Sequence, residues 1–509
     1  MIYNVLDYLE ESENKFPNKT VFADEKNSIT YADLKKNAKK IGTQILNQTN
    51  KTTKHPIVVF VERNIESLVS FMGVAYSGNF YVPIDIQMPK LRIELILQTL
   101  NPIATVVLKS DLAFANGVAP NLLTIIYEEA IQESFNDELL LMVRKKAIDR
   151  DPLYATFTSG STGIPKGVIT CNQSVIDMTD VLVSTFNFNE TSIFGNQNPF
   201  YFDASIKDIY CTLKCGATMY LIPKSSFLFQ ANLVGFLNKN QINSILWSAA
   251  AIALVANSNA FETNKPEYLK KVMFSGEVMH NKVLNYWRKN LPNTDFVNLY
   301  GPTEITSVCT YYKIEKPFAD DEVLPIGIPF QNTEILLLNN ENLPVKGDEI
   351  GEICVRGCCL ALGYYNNPEK TSEAFCQNPL NPHYPEVIYR TGDLAKYNEN
   401  GEIMFLSRKD NQVKHMGQRV ELGEIEILIN SLENIDASFC FYDHDKLKIV
   451  TIFQGKDADN KYIINQIKDR IPKYMYPNTI IKLEELPYNL NGKIDRTLLK
   501  AQYKTGEIK

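Results

Sequence analysis

Short apolar runs rich in β-branched residues recur along the first four hundred or so positions, each followed by a helix-length stretch. That alternation restricts the fold more than any other feature. "PIVVFV" (Pro56 to Val61) reads as a strand, and "NIESLVSFMGVAYSG" as an amphipathic helix ending at Gly78. The strand signal returns in "ATVVLK" (Ala104 to Lys109), "DPLYAT", "ATMYLIP" (Ala217 to Pro223), "NSILWS" (Asn243 to Ser248) and "KKVMFSG" (Lys270 to Gly276). Strands separated by helical spacers imply βαβ units and mostly parallel sheets, an α/β class. From about Glu322 to Lys396 the texture turns Gly-rich and alternating, as in "TEILLLNN" and "GEICVRG", which predicts a more antiparallel β region. A boundary is expected at "LSRKDNQVKHMGQRVELGEIEILINSL". It runs from a strand through charged residues to a helix beginning near Leu422, and opens a small α+β unit with "DASFCFY", "KLKIVTIFQ" and "KYIINQIKDRIP".

A chain of 509 residues is too long for one core. Nine cysteines lie scattered without metal-type spacing, so reduced thiols of a cytoplasmic protein are expected. The amino-terminal segment carries early acids and lacks an apolar signal core. "ILWSAAAIALVA" (Ile245 to Ala256) is too short to cross a bilayer and reads as one buried segment, so no membrane partner is expected. A net charge of −7 argues against nucleic acid as a partner. A monomer is the default.

"FTSGSTGIPKG" (Phe157 to Gly167) sets three glycines, four hydroxyl residues and a lysine directly after a strand. Such a loop offers many backbone N–H and hydroxyl donors, and a phosphate is the usual recipient. The GxxxxGK[ST] pattern nevertheless fails here, and taken alone the loop could be a solvated turn. Four further motifs follow in order: "NLYGPTEIT" (Asn298 to Thr306), "YRTGDL" (Tyr389 to Leu394), "SRKDNQVKHMGQRVE" and "LPYNLNGKIDR" (Leu486 to Arg496). Each alone reads as Gly and Pro punctuation. Together and in this order they do not.

With these motifs the sequence resembles the adenylate-forming (AMP-binding) superfamily of acyl-CoA synthetases, luciferases and adenylation domains of nonribosomal peptide synthetases. The likeness runs from "ITYADL" through "YSGNFYVPIDIQMP" to Lys493. "MFSGEVMHNKV" with "NLYGPTEIT" is similar to stand-alone D-alanine–D-alanyl carrier protein ligases. "GYYNNPEKTSEAF" and "VKHMGQRVELGEIE" are closer to peptide-synthetase adenylation domains. The resemblance implies a large amino-terminal domain (1–407) of mostly parallel sheets flanked by helices, with a β-barrel-like subdomain. A hinge (408–411) and a small mobile carboxy-terminal α+β domain (412–509) would follow.

The implied reaction is activation of an amino acid carboxylate by ATP with Mg²⁺, release of pyrophosphate, and transfer to the phosphopantetheine thiol of a carrier protein. By the resemblance, Thr158, Ser159, Gly160, Ser161, Thr162 and Lys166 would hold the β- and γ-phosphates. Gly276, Glu277, Asn298, Leu299, Tyr300 and Gly301 would line the nucleotide site, Tyr300 offering a face to adenine and Asn298 a hydrogen bond to its edge. Thr303 would meet the α-phosphate, and Glu304 would ligate the metal, a hard oxygen donor suiting a hard cation. Asp393 would accept both ribose hydroxyls. Arg408 and Arg419 are candidates for ribose or phosphate, or are solvated linker charges. Lys493 would be the catalytic cation between carboxylate and α-phosphate, and Asp410 the hinge. Gly417 would let the backbone pass close to the pantetheine thiol.

Asp203 in "YFDASIKDIY" matches the residue that pairs the substrate α-ammonium in amino-acid-activating members. Its alternative is an N-cap for the following helix. The implied pocket comprises Ala204, Lys207, Leu246, Met273, Ser275, Leu299, Ser307 and Val308. D-alanine ligases usually carry a larger apolar residue at position 204, methionine at 207 and cysteine at 275, so D-alanine is a hypothesis. Lys207 could meet an acidic substrate side chain, or pair with Asp203 four residues earlier. Sixteen residues follow Lys493 without a GGxS motif, so the carrier is expected in trans. The competing expectations are an acyl- or aryl-CoA synthetase using free CoA, against which Asp203 argues, and a silent nucleotide-binding module.

Overall fold

The structure, a computed structural model, describes residues 2–159, 164–227, 230–410, 412–487 and 494–508. The chain divides into two compact units. The first comprises Met1–Ile86, Thr99–Phe157 and Gly167–Lys409, and the second Gln87–Gln98, Thr158–Lys166 and Asp410–Lys509.

Two large sheets organise the first unit. In the seven-stranded sheet, Pro56–Val61 pairs in parallel with Phe80–Asp85 and with Ala104–Val107. All six residues of Pro56–Val61 are buried. A strand covered on both faces reads as a continuous apolar run, which is why its sequence carries no alternation. In the nine-stranded sheet, Ile193–Asn196, Thr218–Leu221, Ser244–Ser248, Lys271–Ser275 and Asp295–Tyr300 all run parallel. Antiparallel strands close its edges, Thr310–Lys313 and Ile328–Pro329 on one side and Ser28–Thr30 on the other. The Gly-rich region forms a five-stranded antiparallel sheet from Thr333–Leu338, Gly351–Gly357, Phe375–Gln377, Val387–Tyr397 and Ile403–Arg408.

The second unit holds a hairpin, Gln412–His415 with Gln418–Glu421, and a three-stranded sheet over which Leu422–Asn430 packs. Met416 and Gly417 both have positive φ, 54° and 78°, as the favoured two-residue hairpin turn demands. A glycine at 417 suits that turn. The third strand, Thr479–Leu483, pairs in parallel with Lys448–Gln454. The hairpin, that strand and the helix Arg496–Thr505 are among the elements the sequence reading did not contain. Within this unit Arg92 and Glu424 form a buried ion pair at 2.6 Å, each side chain 4% exposed.

The segment read as one buried piece, Ile245 to Ala256, divides at Ser248. Its Oγ accepts from the Ala251 N–H at 3.2 Å and caps the helix Ala249–Asn257. No helix among the described residues is long and apolar enough to cross a membrane. One residue earlier, Trp247 is 1% exposed, donates Nε1–H to the Gly195 carbonyl at 2.8 Å, and meets Trp287 edge-on. It joins two neighbouring strands of the sheet through a side chain. Trp247→Ala should cost about 3–5 kcal/mol, read as a large drop in the denaturant midpoint.

Candidate active site

Parallel strands deliver their carboxyl ends to one edge of a sheet, and the loops leaving that edge are where α/β folds build sites. Ser275 ends Lys271–Ser275 and Tyr300 ends Asp295–Tyr300, two adjacent strands in parallel register. Gly276 follows with φ 100°, a value an L side chain rarely adopts, and half-buried Glu277 comes next. After Tyr300 the chain turns through Gly301 and Pro302 into the short 3-10 turn Thr303–Ile305. A Cβ at Gly301 would lie 2.6 Å from the Ser307 carbonyl oxygen, so only glycine lets the returning chain pack here.

Two predicted nucleotide residues converge on the carboxylate of a third, Asp393. The Tyr300 hydroxyl donates to Asp393 Oδ2 at 2.5 Å, and Arg408 Nη1 donates to Oδ1 at 2.6 Å. Asp393 and Arg408 face each other in register on neighbouring antiparallel strands. Burial, with the Asp393 charge beside it, pushes the Tyr300 hydroxyl well above the usual phenol range, so Tyr300 remains a donor. Glu304 is 1% exposed, and its Oε1 accepts from the Tyr364 hydroxyl at 2.8 Å. Tyr364 lies in the quoted "GYYNNPEKTSEAF" but sixty positions away, and nothing local in the sequence couples the two. Among the described residues no group of three or more His, Cys, Asp or Glu could hold a metal. A single buried carboxylate does fit Mg²⁺ that arrives with phosphate oxygens as its other ligands. Asn298 is not brought into this group. It is 6% exposed and commits Nδ2 to the Pro325 carbonyl at 2.8 Å, tying the strand to a following loop.

The substrate set gathers on the same unit. Asp203 opens a 3-10 turn, Asp203–Ser205, and neither that turn nor the helix Ile206–Cys215 receives a side-chain cap. Ala204 is half-buried beside Asp203. Lys207, on that helix, is 1% exposed and donates Nζ–H to Ser307 Oγ at 3.0 Å and Ser275 Oγ at 3.4 Å. Leu246, Met273, Leu299 and Val308 are buried members of the main apolar cluster.

Five of the remaining predicted residues belong to the second unit. Thr158 ends the strand Pro152–Thr158, and its buried Oγ1 has no hydrogen-bond partner among the described residues. Ser159 Oγ donates to the Arg419 carbonyl at 3.0 Å. Lys166 opens the strand Lys166–Cys171. Arg419 sits opposite Lys414 in the hairpin, and Asp410 Oδ1 accepts from the Gln412 N–H at 3.2 Å. Gly160, Ser161, Thr162 and Lys493 lie outside the described residues.

Residues 9–365 match the family model described as AMP-binding enzyme. The chain belongs to that family. It is 30% identical to bacitracin synthase 1 of Bacillus licheniformis over 98% of its own length and 9% of the synthase. It is 29% identical to tyrocidine synthase 1 of Brevibacillus parabrevis over 96% of its length and 44% of that protein. The chain thus spans less than half of these curated relatives. In fold it is similar to the Vibrio cholerae adenylation domain AlmE in complex with glycyl-adenosine-5′-phosphate. The TM-score is 0.85 at 20% identity, covering 99% of this chain and 98% of that one. It is also similar to PA1221, a nonribosomal peptide synthetase protein containing adenylation and PCP domains. There the TM-score is 0.84 at 21% identity, over 99% and 97%. The α/β architecture expected of an AMP-binding enzyme, with its small carboxy-terminal α+β unit, is thereby observed.

One buried acid beside the substrate set was not anticipated. Burial raises the Asp208 carboxyl from 3.8 to about 7, opposed by a hydrogen bond from Asn196 and by the charges of Lys207 and Arg63. The folded protein therefore keeps this proton to about pH 7, whereas the unfolded chain releases it near 3.8. The resulting stabilisation is complete below the unfolded value and is lost as pH rises through the folded one. Between pH 5 and 7 the wild type should lose ~1–3 kcal/mol relative to Asp208→Asn, measured by denaturant unfolding at both pH values. A difference that does not change with pH would contradict the assignment.

Proposed function

We propose that this chain uses MgATP to convert an amino acid carboxylate into an aminoacyl-adenylate, releasing pyrophosphate. It then passes the acyl group to the phosphopantetheine thiol of a separate carrier protein. Attack of a carboxylate oxygen on the α-phosphorus breaks the bond to the β-phosphate bridging oxygen. The thiol then displaces AMP. Neither step needs a covalent enzyme intermediate, so positioned charge and hydrogen-bond donors carry the work.

The observation that carries this reading is the convergence of Tyr300 and Arg408 on Asp393, one strand end away from the Lys207, Ser275 and Ser307 cluster. A carboxylate held by two donors is fixed to accept a ribose diol. Tyr300, oriented by that same bond, presents its ring to adenine. Glu304, steadied by Tyr364, would complete the coordination of Mg²⁺, and Thr303 would contact the α-phosphate. The α-ammonium of the substrate would meet Asp203, which opens the turn ahead of the helix Ile206–Cys215. Thr158, Ser159 and Lys166 would serve the outer phosphates with Gly160, Ser161 and Thr162.

Lys493 is proposed to bridge the carboxylate and the α-phosphate. Residues 1–407 would form the core, 408–411 the hinge around Asp410, and 412–509 the domain that changes orientation between half-reactions. D-alanine is the candidate offered by motif likeness. Free CoA as acceptor is the competing reading, and Asp203 weighs against it. The cytoplasm supplies the ATP, and a monomer is sufficient for both steps.

Lys493→Ala should abolish amino-acid-dependent ATP–pyrophosphate exchange, a loss on the order of 100-fold or more. ATP binding measured by calorimetry should change little. Undiminished exchange in the variant would refute the role of Lys493. Discharge of the adenylate by free CoA, with no transfer to any holo-carrier protein, would move the chain to the CoA-synthetase class.

A further inference from the structure

Resting on the reading above that this site activates an amino acid, we infer that Lys207 itself fills the subsite for the substrate's side chain. The substrate class is then a small amino acid, glycine or alanine, with a side chain no larger than a methyl group. Lys207 leaves the helix Ile206–Cys215 and reaches both the end of the strand Lys271–Ser275 and the loop after the turn Thr303–Ile305. Its Nζ donates to Ser275 Oγ at 3.4 Å and to Ser307 Oγ at 3.0 Å. It is among the largest fully buried side chains of the protein.

Accessible surface marks where a ligand atom has room. Leu246, Met273, Leu299 and Val308 are each no more than 2% exposed, and Lys207 is 1% exposed. A subsite shaped for a branched or aromatic side chain would leave open surface on these walls. The surface that does remain lies on Ala204, half-buried beside Asp203, and in small measure on Ser275 and Ser307, at 8% and 4%. Room therefore exists next to the residue proposed to meet the α-ammonium, and it closes at Lys207. The exclusion comes from the volume of the four-carbon lysine stem, whichever groups satisfy its ammonium.

The other walls are not free to retreat. Leu246 and Met273 stand opposite each other on adjacent parallel strands, and Met273 is paired with Val297 on its other side. Leu246, Met273, Leu299 and Val308 all belong to the main apolar cluster, and a close-packed interior takes extra methylenes only at a cost. Ser307 is held by its backbone. Thr306 and Ser307 both adopt positive φ, 61° and 76°, a combination that costs energy in residues with a β-carbon. The surroundings impose it, since Thr306 Oγ1 donates to the Cys359 carbonyl at 2.8 Å and the chain is pressed against Gly301.

The experiment is ATP–pyrophosphate exchange by the purified wild-type chain over amino acids graded in size. The series is glycine, alanine, 2-aminobutyrate, valine, aspartate, leucine and phenylalanine, with both enantiomers of each chiral member. Glycine or one enantiomer of alanine should lead, exceeding leucine and phenylalanine in kcat/KM by a factor on the order of 100. Lys207→Ala should raise kcat/KM for valine or leucine by about 10-fold or more through KM for the amino acid, leaving KM for ATP unaltered. Lys207→Met, similar in volume but uncharged, should keep the wild-type size order, which separates filling from charge. A wild-type preference for any side chain larger than methyl, or loss of the size order in Lys207→Met, overturns the inference and leaves amino acid adenylation standing. Failure of every amino acid to support exchange overturns both. The wild-type series requires no variant to fold.

Discussion

The parallel pairing of the central strands is the constraint on which the rest depends. A parallel pair cannot be closed by a tight turn, so the successive parallel strands of the nine-stranded sheet are joined by crossovers. Five consecutive strands therefore point the same way, and Ser275 and Tyr300 emerge side by side. Nothing in the chemistry of a serine or a tyrosine brings them together. The register of Lys271–Ser275 against Asp295–Tyr300 does, and the turn that follows carries Glu304 and Ser307 back over the same edge. The Lys207–Ser275–Ser307 cluster and the Tyr300–Asp393 group are thus two products of one topological rule.

Within that frame the charged groups are arranged by partnership more than by exposure. Asp393, Glu304 and Lys207 are all buried, and each is met by hydroxyl or guanidinium groups contributed from elsewhere in the chain. Buried charge is costly unless it is hydrogen-bonded. Tyr300, Tyr364 and Ser307 offset part of that cost through their hydroxyls, and Arg408 adds a permanent opposite charge at Asp393.

The sequence made much of this legible. β-Branched runs such as "PIVVFV" and "SILWS" located strands because burial on both faces leaves no other composition workable. Motif order picked out Tyr300, Asp393 and Arg408, which the structure brings together. What escaped was whatever depends on partners distant in the chain or on backbone angle. Tyr364 reaches Glu304 across sixty positions, and the Asn298 amide is occupied by Pro325. The left-handed pair Thr306–Ser307 carries neither glycine nor asparagine, the usual signals of that conformation. The hairpin Gln412–Glu421 was hidden by its charge, since a short, mostly polar, half-buried ribbon shows little apolar alternation. Even the helix start at Ser248 was written in the chain, as a capping serine inside an apolar run.

The Thr306–Ser307 kink also bears on how such a protein could be retargeted. Its shape is dictated by Gly301 and by the carbonyl of Cys359, neither of which contributes a side chain to Lys207. The path of the loop and the side chains it carries are therefore separable at this point. An engineer could exchange the groups at positions 207, 275 and 307 as a matched triple while keeping the loop's path, and natural divergence has the same route open to it.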